Sequence, residues 1–242
     1  EISACLVGSE MCIRDRQGSG HHQGGERRKN TQAGHGGGAK EPSVVGEIVP
    51  APPQPANWFI GLVVPAEAGW CAAAHGLPGG VRRFHPEDLH ITLAFLGPCT
   101  PEQAQRAWEA LAPWRHPTIA ASAGTWLALG APSRPTAFGL GLQQGHDPVA
   151  ALIEDWGHQA LAAAERPLER RAALPHVTLA RATRRGGEEA RQAMVRWISQ
   201  AKPPSTPVQL EHIGLYTWAA NRHERLFERL HQRRLDQLEA EV

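Results

Sequence analysis

The chain has 242 residues, 41% of them hydrophobic, and a formal net charge of +1. That balance excludes a basic field spread over the whole molecule, so any nucleic-acid contact must be local. No stretch approaches the roughly 18 apolar residues of a membrane span, and the four cysteines show neither metal-like spacing nor a disulfide framework; a reducing, cytoplasmic setting is expected.

The first 57 residues carry almost no periodic apolar pattern. Gln17 to Lys40 is rich in Gly, His, Gln and Arg, and Pro50 to Pro55 is Pro-rich. Such composition buries too little apolar surface to offset chain entropy, which predicts disorder over 1–57. Glu1 to Arg16 resemble translated adapter sequence and are expected to carry no function; they contain no apolar core of a signal peptide. The first 57 residues hold six basic and six acidic side chains, leaving 19 and 18 for the rest. Residues 58–230 read as one domain of ordinary size, and 231–242 as a charged tail.

Trp58 to Val64 is a continuous apolar run ended by Pro65, a buried strand. Ala66 to His75 reads as a helix closed by Gly76. Asp88 to Leu96 is a strand ended by Gly97-Pro98. Thr100 then caps a helix, with Pro101 at its first position and Gln103 completing a capping box. Thr118 to Leu129 and Thr136 to Leu142 read as two strands joined by a turn. Asp147-Pro148 opens a second long helix. Leu174 to Arg181 is a strand, Glu188 to Ala201 a helix, Val208 to Trp218 a strand, and Glu224 to Leu230 the last strand, although its charges also permit a helix. The pattern predicts an α+β fold of two similar halves. Trp108, Trp156 and Trp197 sit at helical spacing and are read as core.

One tetrapeptide occurs twice: His90-Ile91-Thr92-Leu93 and His176-Val177-Thr178-Leu179. Each lies in an apolar strand. Alternation puts His90 and Thr92 on one face and Ile91, Leu93 and Phe95 on the other; His176 and Thr178 share a face likewise. An unperturbed imidazole titrates near ~6.5, so one can be neutral while the other is protonated. Such a pair can serve as general base and general acid, with the hydroxyls donating to phosphoryl oxygens between them. This design requires no metal. No metal-ligand spacing, P-loop or Gly-rich dinucleotide motif accompanies it, so no cofactor is implied.

The segment from Phe84 to Gly97 resembles the first signature of the RNA 2′,3′-cyclic phosphodiesterases, also called 2′-5′ RNA ligases, of the two-histidine (2H) phosphoesterase superfamily. Pro175 to Arg181 resembles their second signature. Trp58 to Pro65 is similar to their opening strand, and Leu215-Tyr216-Thr217 to a late one. The resemblance implies a bilobal α+β fold, two pseudo-symmetric lobes each with an antiparallel sheet and helices, and a cleft between them. It also implies hydrolysis of an RNA terminal 2′,3′-cyclic phosphate to a 2′-phosphate without metal. His90 matches the proton donor, His176 the proton acceptor, Thr92 and Thr178 the phosphate-binding hydroxyls, and Arg181 a phosphate-contacting cation. Strand parity, however, places Arg181 on the Leu179 side. That role therefore requires a bulge or bend after Ala180, or a reach round the strand end. Phe84 has two equal readings: lining the pocket or stacking on a base, or merely capping the strand. The partner is an RNA end or a nucleoside cyclic phosphate, and a monomer is expected. The same residues would also serve 2′-5′ ligation, hydrolysis of a small cyclic nucleotide or ADP-ribose cyclic phosphate, or an RNA-binding module without turnover.

Overall fold

The computed structural model describes residues 56–237. Nearly all of 1–57, and the last five residues of the expected tail, lie outside that range. Asn57 already belongs to the first strand.

Nine strands form two antiparallel sheets. The first sheet holds β1 (Asn57–Val63), β3 (His90–Pro98), β8 (His212–Trp218) and β9 (Phe227–Arg234), in the order β3-β1-β8-β9. The second holds β2 (Val81–Arg83), β4 (Ile119–Ala131), β5 (Arg134–Gln144), β6 (His176–Ala182) and β7 (Val208–Leu210), in the order β2-β6-β5-β4-β7. Helices α1 (Pro101–Glu109) and α2 (His146–Ala163) pack with the first sheet; α3 (Gly187–Ile198) packs on the second. This is the expected bilobal α+β architecture, but the lobes are not successive halves of the chain. β2 leaves the first lobe for the second, and β8 and β9 return to it.

Local chemistry explains most elements. Thr100 Oγ1 accepts from Gln103 N at 3.3 Å, and Thr100 N donates to Gln103 Oε1 at 3.1 Å, so the predicted capping box starts α1. Ala104, Ala107 and Trp108 form its buried side. Trp156 is buried in α2, and Met194 of α3 packs with Phe138 and Ala180 of the second sheet.

Four expectations are corrected. The helix over Ala66 to His75 is two 3₁₀ turns, Ala66–Ala68 and Trp70–Ala74, divided at Gly69 with φ 72°. A left-handed residue cannot continue an α-helix. Trp70, fully buried, anchors the second turn by donating Nε1–H to Thr206 O at 2.9 Å. The run Val208 to Trp218 is two strands: the chain changes sheets at Glu211, so β7 pairs with β4 and β8 with β1. Val81–Arg83 is an additional strand, too short to show periodicity.

The last strand starts at Phe227 and runs to Arg234, past the expected end at Leu230. Asn221 holds the preceding turn, its carbonyl accepting from Glu224 N and Arg225 N at 3.2 and 3.3 Å. Beyond Leu230 the strand is kept in place by Trp108: the His231 ring stacks on it at 5.9 Å, and the Arg233 guanidinium lies 5.1 Å over it. Residues 231–234 therefore belong to the sheet. No helix among the described residues is long and apolar enough to cross a membrane.

Candidate active site

Each motif begins its strand, and each imidazole is gripped in the same way. His90 Nδ1 lies 2.6 Å from the carbonyl oxygen of Asp88, and His176 Nδ1 lies 2.7 Å from that of Leu174. A carbonyl can only accept, so Nδ1 carries a proton in both rings. Any proton exchange by either ring then falls to Nε2. Both histidines are 8% exposed. The strands that carry them, β3 and β6, belong to different sheets yet approach within 8 Å, Cα to Cα.

The two motif strands share a further irregularity. Along β1, Gly61 pairs with Thr92 and Ile60 with Ala94, so Leu93 is an extra residue. Along β5, Gly139 pairs with Thr178 and Phe138 with Ala180, so Leu179 is extra. Each Leu of the repeated tetrapeptide is thus a β-bulge, which reverses the alternation beyond it. The position opposite each Thr is Gly, for a reason of space. A Cβ on Gly61 would lie 2.8 Å from the Ile91 oxygen, and one on Gly139 would lie 2.3 Å from the Val177 oxygen. Gly157 of α2 serves the first bulge: a Cβ there would lie 2.4 Å from Leu93 O.

The second bulge settles where Arg181 points. Ala180 and Ala182 pack toward Met194 of α3. Arg181, between them, therefore returns to the face of His176 and Thr178. The bulge falls at Leu179, before Ala180 and not after it. The first bulge corrects the expected grouping of Phe95 with Ile91 and Leu93. Phe95 pairs with Phe59, whose ring stacks on His90, so it shares the His90 side. Phe95 and Arg181 occupy equivalent places, five residues after their histidines.

His90 sits among aromatic rings. Phe59 stacks on it at 4.4 Å, Phe227 meets it edge-on at 5.3 Å, and Tyr216 is 5.5 Å away. Burial pushes the Tyr216 phenol above its usual range, so it stays neutral. Asp88, 1% exposed, ties this group to motif one. Its Oδ2 accepts from Leu226 N at 2.8 Å and its Oδ1 from Phe227 N at 3.1 Å, while its carbonyl holds His90. Thr92 and Thr178 are half-buried. Phe84 is buried, 3% exposed, with its ring toward Phe227 and its N–H donated to Leu179 O at 2.9 Å. It braces the second bulge against the aromatic group and offers no open face to a base. A separate cavity of about 640 Å³ is lined by Val63, Glu87, Glu211, His212, Arg229 and Gln232, without any motif side chain.

Sequence reasoning missed Asp88, Gly61, Gly139 and Tyr216. A signal existed for the glycines: Phe59-Ile60-Gly61-Leu62 and Ala137-Phe138-Gly139-Leu140 are similar partners for the two motifs.

Solved structures share this architecture. Escherichia coli LigT in complex with NADP+ aligns at 25% identity and a TM-score of 0.56, covering 76% of this chain and 99% of that one. The same protein in complex with 3′-AMP gives 24% and 0.57, covering 76% and 100%. The chain has the 2H phosphoesterase fold. The Thermus thermophilus protein TT0787 shares that fold at 17% identity and a TM-score of 0.52, covering 74% of this chain and 97% of its own. No protein-family model and no curated protein matches the sequence. The 2H fold carries its repeated motif on one strand of each sheet here, β3 and β6.

Proposed function

We propose that the protein hydrolyses the 2′,3′-cyclic phosphate at an RNA end to a 2′-phosphomonoester, using His90 as general acid and His176 as general base. One observation carries this reading: both imidazoles are clamped through Nδ1–H to a carbonyl two residues upstream, on strands that approach one another. The clamp presents the same nitrogen of each ring for proton exchange.

The chemistry balances with these groups alone. The Nε2 lone pair of His176 takes a proton from water as the water oxygen bonds to phosphorus. The bond from phosphorus to O3′ breaks, and Nε2–H of His90 gives its proton to O3′. The product is a 2′-phosphate and a free 3′-hydroxyl. Thr92 and Thr178 donate to the non-bridging oxygens, and Arg181 offsets charge gathering on them. Exchange with solvent then resets both imidazoles.

The test is hydrolysis of a nucleoside 2′,3′-cyclic phosphate, alone and capping a short RNA, with EDTA present. Phosphorus NMR reads the position of the product phosphate. A 2′-phosphate is expected, with the rate reduced roughly 10²–10⁴-fold in His90→Ala and in His176→Ala. A 3′-phosphate product, or undiminished turnover in either variant, would overturn the assignment.

A further inference from the structure

His90 leans on two rings that the mechanism above leaves unused. Phe59 and Tyr216 are partners across β1 and β8, and their rings lie 4.8 Å apart and 5° from parallel. The imidazole is tilted 29° to the first and 33° to the second, with centroids 4.4 and 5.5 Å away. Both rings are fully buried. An aromatic face is electron-rich and attracts a cation within about 6 Å of its centroid, most strongly away from water. The pull acts on an imidazolium far more than on a neutral imidazole.

The other influences on His90 divide. Burial disfavours its charged form. His176 and Arg181 on β6, Arg229 on β9 and His212 on β8 are cations or can become so, and each opposes a charge on His90. Asp88 favours one, but its carboxylate is already engaged by Leu226 N and Phe227 N, and Glu87 is turned to Arg225, 2.7 Å away. Tyr216 is kept neutral by its burial, so it brings a ring face and no charge. β1 carries no ionisable residue, and the side of α2 that is buried is apolar. A proton donor must nevertheless keep its proton until O3′ departs, at a pH where the second histidine has lost its own.

We propose that Phe59 is a positioning residue for the proton donor: its ring face favours the imidazolium of His90, so that His90 stays protonated where His176 is neutral. The functional half of this assignment rests on the phosphodiesterase reading above. It gives a physical cause for two opposite roles in two copies of one motif.

The experiment replaces Phe59 by mono-, di- and trifluorinated phenylalanine in the full chain. Fluorine drains electron density from the ring face and nearly keeps the ring's shape, so packing is preserved while the attraction is removed in steps. His90 is titrated by NMR in protein carrying isotope-labelled histidine, its signal assigned by its loss in His90→Gln. The rate on a nucleoside 2′,3′-cyclic phosphate is followed over the same pH range. The His90 midpoint is expected to fall with each fluorine, by about one pH unit in total, and in Phe59→Leu by a similar amount. The basic limb of kcat/KM should move with it, and the acid limb should stay in place. A midpoint that does not move across the fluorinated series, or two limbs that move together, overturns the role of the ring; mere packing by Phe59 predicts the unmoved midpoint. If the wild type shows no turnover at any pH, the phosphodiesterase reading falls instead. The NMR midpoint needs no substrate and still decides whether Phe59 favours the imidazolium.

Discussion

Replacing Asp88 by Asn separates the fold's support of His90 from the chemistry of His90 itself. The carboxylate is 1% exposed and accepts two backbone N–H groups, at 2.8 and 3.1 Å. Asn has one acceptor oxygen, and its amide would point N–H at N–H on the other side. One charge-assisted bond is lost and one buried donor is orphaned, a cost of about 2–3 kcal/mol. With a urea m-value of about 2 kcal/mol/M, the unfolding midpoint should fall by ~1 M. The same loss loosens the turn whose carbonyl grips His90 Nδ1, and a displaced imidazole should lower kcat by on the order of 10- to 100-fold. Urea unfolding and single-substrate kinetics measure the two effects. A wild-type midpoint would refute the energetic argument. A lowered midpoint with wild-type kcat would refute the link from Asp88 to His90.

Gly139→Ala forces a Cβ to 2.3 Å from Val177 O, against backbone that cannot swing away. A loss of about 1–3 kcal/mol in urea unfolding is expected, with activity falling further because motif two must shift. Thr178→Val keeps the shape and removes the hydroxyl; kcat should drop about 10²-fold while the unfolding midpoint stays near wild type. The pH–rate profile should be bell-shaped, acid protonating His176 and base deprotonating His90, and EDTA should leave it unaltered; a flat profile from pH 5 to 9 contradicts the pair. Glu169 is held down from 4.5 to about 2, chiefly by its hydrogen bond from the Arg171 side chain. A lowered folded value stabilises above the unfolded one. The cost of Glu169→Gln should therefore be present above pH 4.5 and vanish toward pH 2. With 46% of that side chain exposed, it should stay below ~1 kcal/mol in pH-dependent unfolding.

The repeated tetrapeptide was legible because side-chain type and strand character coincide at His90 and His176. The capping box at Thr100 was legible because its partners are three residues apart. Arg181 and Phe95 were misplaced by parity because counting alternate residues assumes an unbroken ladder. Nothing in Leu93 or Leu179 alone announces a bulge; the cause lies across the strand, in Gly61 and Gly139, and in Gly157 on a distant helix. The change of sheet at Glu211 was hidden because both sides of it carry apolar residues, and periodicity does not say which sheet a strand joins. Asp88 read only as the first residue of the motif strand. Its partners are Leu226 and Phe227, about 138 positions away, and only folding brings them together. Whether Phe84 faces the pocket or only caps the strand stayed open in the sequence, because its contact with Phe227 is likewise one between remote segments.

The interleaving of the two sheets has a mechanical consequence. The backbone passes between lobes after β1, after β2, after β3 and again at Glu211, so no single cut separates one sheet from the other. The walls around the histidines are stitched together and cannot be prised apart like two beads on a string. Denaturation should release both at once, and a nick at the exposed 132–134 hairpin tip should leave two pieces that stay entangled. A duplication origin, if the repeated motif reflects one, must have been followed by an exchange of strands that made either copy useless alone.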